Sequence, residues 1–400
     1  MLLIPSAQRL PDKSEEGLLD FDILPPVSLY VHVPWCTRKC PYCDFYSHAI
    51  STPIPEELFL AAMQKDLEVS APLVKGRQIS TIYVGGGTPS ILSARCIKKL
   101  MQIIREQLLV APNAEITIEA NPGTFDREKV RTYREAGINR LSLGIQTFSQ
   151  KHLEFLSRTH NVDQANEAIK IAREYFDNIN FDFMYGLPDQ TIDDLDRDLT
   201  LAISYAPEHL SFYHFSIEPE TEFEKDPPEL PDDDSVADMQ DNVESALAVA
   251  GYEKYEVSAF ARPGHQCRHN VNYWQFGDYL SIGAGSHSKM TGDGKVIRQT
   301  RYADPTEYMQ QALKGNAVDQ QYALTNDDLC FEFMLNALRL KKGFYPEMFE
   351  ERTALPLDTI YPYLKKAEKG GLLYRDPTII RPTERGMQFL SDLKLMFLPE

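Results

Sequence analysis

The chain lacks most features that would assign it to a specialised class. No uninterrupted apolar run approaches the ~18 residues that a membrane-spanning helix needs. The opening stretch MLLIPSAQRLPDKSEEG has too short an apolar segment for a secretory signal, and acids follow directly. Basic residues are outnumbered, 41 against 59 acidic ones, for a net charge of −18. Phosphate binding needs Lys and Arg, so this deficit argues against a nucleic-acid backbone as main partner, although a local basic pocket stays open. Cysteine is scarce as well: six in 400 residues are too few for a disulfide scaffold. Thiols in such a chain read as metal or redox ligands in a reducing compartment, so a cytoplasmic protein is expected. It would have no membrane span, with peripheral membrane contact left open. Length alone allows one large domain or a large one plus a small one.

What is present is a repeated unit. Residues 1–26 read as a loose polar arm ending in LPP. From Val27, six short apolar runs alternate with helical ones: VSLYVHVPW, ISTIYVGGG, AEITIEANP, INRLSLGIQT, NINFDFMYGLP and HLSFYHFSIEP. The runs are rich in Val, Ile, Phe and Tyr and close on Gly, Pro, Asn or Thr at or next to their last residue, as buried parallel strands do. Between them, Leu100, Ile103, Ile104 and Leu108 share one helical face, and Ala165, Ile169, Ala172 and Phe176 another. Thr191, just ahead of IDDLDRDLTLAI, is suited to cap a helix. Strand and helix alternating six times predict an α/β fold, a partial (β/α)6 TIM-like barrel, with chemistry at the C-terminal ends of the strands. The polar and glycine-rich stretches GGGTPS, EANPG, GIQT and DFMYGLP fall at that end. After Gly251 the pattern changes to short strand-like pieces, and 305–400 reads as a small helical domain of winged-helix type in which Phe331, Leu335 and Leu338 share a face. The expected division is thus an arm at 1–26, a core at 27–304 and a C-terminal domain at 305–400.

Half of the cysteines are gathered in one place. Cys36, Cys40 and Cys43 lie in WCTRKCPYC, on the loop after the first strand. A zinc site usually takes four N or S ligands from two paired clusters, and no second CxxC exists. His265, Cys267 and His269 in HQCRH could contribute, but their one-residue gaps are unlike zinc spacings. An iron–sulfur cube suits a tight run of thiolates and would leave one iron open to an outside ligand. Three buried, chemically idle cysteines are the plain alternative.

CxxxCxxC after the first strand resembles the signature of the radical S-adenosylmethionine (SAM) family, in which SAM completes a [4Fe-4S] cluster held by three cysteines. The resemblance implies that Tyr30, Tyr42, Gly86, Gly87, Thr88, Glu119, Gln146, Arg158 and Asp182 contact SAM. Without it, GGGTPS could be merely a tight turn, and each lone polar side chain at a strand end a cap or loop anchor.

Three further stretches, IYVGGGTPS, RLSLGIQTF and DFMYGLP, resemble the branch that contains oxygen-independent coproporphyrinogen III oxidases and heme chaperones, over about residues 27–400. The oxidases carry a fourth cysteine where this chain has Phe45, and they have a longer N-terminal arm. The chaperones carry HNxxYW, matched here by His269, Asn270, Tyr273 and Trp274. The resemblance therefore implies heme as cargo, passed to an acceptor such as a respiratory cytochrome, with those four residues as heme contacts. His265, His287 and Cys267 are rival ligands. A heme ligand beside flat apolar surface fits that motif, though a corner packed by Trp274 would look the same. A radical SAM oxidase and an inert scaffold are the alternative functions.

Overall fold

The computed structural model describes residues 18–399. The six apolar runs are six strands: β1 (Val27–Val33), β2 (Ile79–Gly86), β3 (Val110–Ala120), β4 (Arg140–Gln146), β5 (Ile179–Tyr185) and β6 (His209–His214). They stand side by side in chain order, every neighbour parallel. The crossovers run through helices α1 (Glu56–Ser70), α2 (Ala94–Gln107), α3 (Arg127–Glu135), α4 (Val162–Tyr175) and α5 (Ile192–Ser204). The α2 face formed by Leu100, Ile103, Ile104 and Leu108 is buried, as is the α4 stripe Ala165, Ile169, Ala172 and Phe176. Thr191 caps α5 in a reciprocal box with Asp194.

The sheet is larger than the six units. On one flank it continues antiparallel through β7 (Glu253–Lys254) and β8 (Ala259–Ala261), with β8 against β6. On the other, β9 (Asp278–Ile282) lies parallel against the outer edge of β1. Beyond it run β10 (His287–Gly292), β11 (Lys295–Arg301) and β12 (Val318–Ala323), giving twelve strands in all. A buried charge cluster ties this flank to the barrel. Asp278, with a side chain 0% exposed, takes Lys289 Nζ at 3.0 Å and Arg77 Nη1 at 2.7 Å. It also accepts the Thr291 N–H at 2.9 Å and the Thr291 hydroxyl at 2.8 Å. Burial alone would raise the Asp278 pKa, but the two cations hold it below the ordinary carboxylate value.

Three expectations are corrected by the structure. RHNVNYW is not strand-like: Arg268–Trp274 is a short helix, α6, whose first turn is held by the His269 N–H donating to Glu115 Oε1 at 3.2 Å. In the C-terminal helix Asn326–Ala337 the buried stripe is Leu329, Cys330, Phe333, Met334 and Ala337; of the three residues expected on one face, Leu338 just past the helix is buried, while Phe331 and Leu335 are half-buried. This helix is apolar on two overlapping stripes, and the one with the fuller 3–4 spacing faces inward. Of the arm, residues 1–17 lie outside the described residues. The part from residue 18 is not loose: the Leu19 N–H donates to Gly294 O at 2.9 Å, and Leu19 and Phe21 pack on the C-terminal core.

The sequence places a boundary at 305. In the structure, helix Pro305–Leu313 packs on α1 and β12 extends the main sheet. A separate apolar core of Phe333, Phe344, Phe349, Ile360, Leu364 and Leu393 gathers the residues that follow Leu324. Hairpin Leu373–Arg375/Ile380–Pro382 forms its wing.

Candidate functional site

The register of β1 and β2 builds the mouth of the barrel. Val33 pairs with Gly86, so the chain leaves both strands at the same level. From there the Gly87 N–H donates to Val33 O and the Thr88 N–H to Trp35 O, both at 2.8 Å. Glycine is required for this: a Cβ on Gly87 would sit 2.5 Å from Trp35 O, and one on Gly86 (φ +113°) 2.8 Å from Val33 O. The three cysteines occupy the adjoining loop. Cys36 is buried in a two-residue strand, Trp35–Cys36, paired with His48–Ala49. Cys40 and Cys43 are half-buried and joined by the Cys43 N–H donating to Cys40 O at 3.1 Å.

The thiols sit where ligation has an advantage. Burial pushes Cys43 up to about 11 and raises Cys36 as well. Without a metal they hold protons that cluster formation would release. Three thiols spread along one loop suit a polynuclear cluster.

Arg158 couples this loop to β4. Its Nη2 donates to Gly144 O at 3.1 Å, while Nη1 lies 3.5 Å from the Tyr42 hydroxyl and 4.0 Å from Cys40 Sγ. Arg158 Nε is buried and has no hydrogen-bond partner among the described residues, a donor left over for a ligand. Gln146 takes a left-handed backbone (φ 71°) at the end of β4, placing its amide beside Gly144 and Arg158. Glu119 accepts the Tyr83 hydroxyl at 2.9 Å and the Gly86 N–H at 3.2 Å. Asp182 accepts Ser142 Oγ and Asn180 Nδ2, each at 2.8 Å. The Tyr30 hydroxyl lies 3.0 Å from His32 Nδ1. All nine residues that the resemblance assigns to SAM thus stand on β1–β5 or on the loops at their C-terminal ends.

Burial, together with the neighbouring Asp182, raises Glu119 to about 7. The folded state then holds a proton that an unfolded glutamate loses near its ordinary value of 4.5. Stability from this group is full below that value and falls as the pH rises towards 7. Glu119→Gln should flatten this decline in a pH series of unfolding free energies. An undiminished slope in the variant would show that Glu119 is not its source.

The HNxxYW residues lie elsewhere, at the opposite end of the barrel. His269 is 1% exposed, with Nδ1 2.8 Å from Thr81 Oγ1 and Nε2 3.2 Å from the Tyr273 hydroxyl. Its ring stacks on Tyr83 at 5.1 Å, and burial lowers its pKa to about 3. Asn270 and Trp274 are half-buried, and the Arg339 guanidinium covers the Trp274 ring at 4.2 Å. Cys267 is buried, its thiol pushed up to about 12 by burial. His265 is half-buried and His287 exposed. Helix α6 is a floor under the barrel rather than part of its mouth. Sequence reasoning passed over Thr81 and Tyr83, which link that floor to Glu119. The clue was the period-two alternation of Thr81, Tyr83 and Gly85 on one face of β2.

Comparison with known proteins agrees with this architecture. A family model described as the radical SAM superfamily matches residues 30–202, and one for the HemN C-terminal domain matches 324–389. The heme chaperone HemW of Escherichia coli is 42% identical over 379 residues, covering 94% of this chain and 99% of that protein. HemW of Haemophilus influenzae is 40% identical over 383 residues, with the same coverage of 94% and 99%. HemW of Bacillus subtilis is 33% identical over 382 residues, covering 93% and 99%. Among solved structures, E. coli coproporphyrinogen III oxidase (HemN), a radical SAM enzyme, superposes with a TM-score of 0.80 at 26% identity, covering 94% of this chain and 90% of that one. Agreement at this identity from end to end, on a radical SAM barrel with a HemN-type C-terminal domain, means that the chain belongs to the HemW family.

Proposed function

We propose that the protein is a heme chaperone, which binds heme and delivers it to an acceptor such as a respiratory cytochrome. The observation that carries this reading is the match, over nearly the whole length of both partners, to proteins that are themselves named heme chaperones. Phe45 in place of the oxidases' fourth cysteine points the same way.

In this reading Cys36, Cys40 and Cys43 hold a [4Fe-4S] cluster. SAM lies across the barrel mouth against Tyr30, Tyr42, Gly86, Gly87, Thr88, Glu119, Gln146, Arg158 and Asp182. The cluster with SAM supplies one-electron chemistry when bound. The chain's own residues position it: the glycine turn opens backbone donors, Arg158 offers its unused Nε, and the two carboxylates accept hydrogen bonds from an amine or hydroxyls. The protein acts in the cytoplasm; among the described residues no helix is long and apolar enough to cross a membrane. Heme ligation by His269 would require α6 to give up its packing, so heme is expected to enter by another face.

The test is a hemin titration of the reconstituted protein beside an assay with coproporphyrinogen III, SAM and a reductant. A stoichiometric Soret shift with no protoporphyrinogen formed is expected. Efficient conversion of coproporphyrinogen III would instead make the protein an oxidase, and no Soret shift would remove heme as cargo.

A further inference from the structure

The cluster loop continues past its last cysteine into two large aromatics that stay outside. Phe45 and Tyr46 are 51% and 49% exposed. Tyr46 is nonetheless firmly placed. Its carbonyl lies 2.7 Å from His32 Nε2, and its ring meets His48 edge-on at 5.9 Å. The ring also rests on Gly285, where a Cβ would come within 2.8 Å of it. Glycine at 285 (φ +73°) therefore lets the turn after β9 close against Tyr46.

Two residues after that glycine, His287 opens β10, paired with Thr300 through the backbone but exposed and with no side-chain hydrogen bond among the described residues. His287 and His48 lie close enough to His32 to lower its pKa further, beyond the effect of burial. Three imidazoles thus stand near one another at one corner of the mouth. The same loop presents Arg38 and Lys39 to solvent, in a chain whose net charge is −18.

The chemistry of this corner is specific. Exposed aromatic side chains can serve as a shelf that takes a macrocycle face-on. An accessible imidazole takes its metal. Two cations suit paired carboxylates. Of the imidazoles considered as ligands, His269 has both nitrogens engaged, whereas His287 is accessible.

We propose that heme docks on this corner, its face on Phe45 and Tyr46, its iron on His287 and its propionates towards Arg38 and Lys39. The inference rests on the heme-chaperone reading and gives its cargo a location, beside the cluster loop and away from the HNxxYW floor.

The full-length reconstituted chain should be titrated with hemin and, separately, with metal-free protoporphyrin IX, following difference spectra and heme EPR. His287→Ala should weaken hemin binding at least tenfold and alter the heme EPR signature, while leaving protoporphyrin IX binding unchanged. A Phe45→Ser/Tyr46→Ser double variant should weaken both probes, with cluster iron equal to that of the unaltered chain. His265→Ala should match the unaltered chain. Hemin affinity and EPR unchanged in His287→Ala would overturn the ligand and with it the proposed site. Both probes bound normally by the double variant would overturn the shelf. Failure of the unaltered chain to bind hemin would instead defeat the chaperone reading itself.

Discussion

Cys40→Ala emerges from anaerobic reconstitution with iron at background and without the broad visible absorption of a [4Fe-4S] cluster. The expectation follows from how the three thiols are supported. Cys36 is fixed by the Trp35–Cys36 strand and is only 6% exposed. Cys43 is fixed by its N–H bond to the Cys40 carbonyl, which an alanine keeps. The variant therefore retains the loop and loses only a ligand. Two thiolates make too few mounts for a cube that already leaves one iron to an outside ligand. The loss should be nearly complete rather than graded. Hemin binding, if it uses His287, should survive in the same variant. Full iron retention after Cys40→Ala would mean that another side chain completes the mount, and the three-cysteine assignment would fall.

The second large effect is on stability. Asp278→Ala should lower the unfolding free energy by about 3–5 kcal/mol, the usual consequence of breaking a buried ion pair on one side. Lys289, whose side chain is 1% exposed, would lose its carboxylate, and Arg77 would lose the same partner. Among the described residues the Lys289 ammonium would keep the Phe276 carbonyl at 3.1 Å, the Gly277 carbonyl at 3.5 Å and the face of the Phe276 ring at 4.2 Å, none of them a counter-charge. Adding Lys289→Met to Asp278→Ala should recover much of the loss, because the cost lies in the stranded charge more than in the missing bond. Denaturant unfolding of the single and double variants provides the measurement. A single variant within about 1 kcal/mol of the unaltered chain, the range of an exposed pair, would show that this cluster does not anchor β9.

These two sites were unequally legible in the sequence. The thiols announce themselves because three cysteines in eight residues form a dense local signal that points to shared ligation. The six strands were legible for a similar reason: buried parallel strands are continuous apolar runs, and β1 to β6 are such runs. Asp278 was not legible. Its role depends on Arg77 and Lys289, one of them 201 positions away, and no local pattern carries that pairing. DYLSI reads as a strand-like piece, but its place was hidden likewise, since nothing local shows that β1 offers it an edge.

The HNxxYW motif shows the opposite difficulty. A histidine among aromatics has the same composition whether it holds a metal or fills a barrel floor. Only burial and the partners Thr81 and Tyr273 separate the two. The twin apolar stripes of the helix Asn326–Ala337 are a milder case, in which spacing alone could not choose the inward face.

The pairing of β1 with β9 has a consequence for how the chain is made. Val27 pairs with Asp278 and Val31 with Ile282, so the first strand out of the ribosome waits for one of the last strands of the sheet. Helix α6, which plugs the barrel below it, arrives just before. At ~5–20 residues per second, that interval lasts roughly ten seconds to a minute. Throughout it the outer edge of β1 and the open underside of the barrel have no covering from their own chain. Unpaired strand edges of this kind invite association with other chains. Nascent chains arrested before residue 268 should therefore be the aggregation-prone species during synthesis.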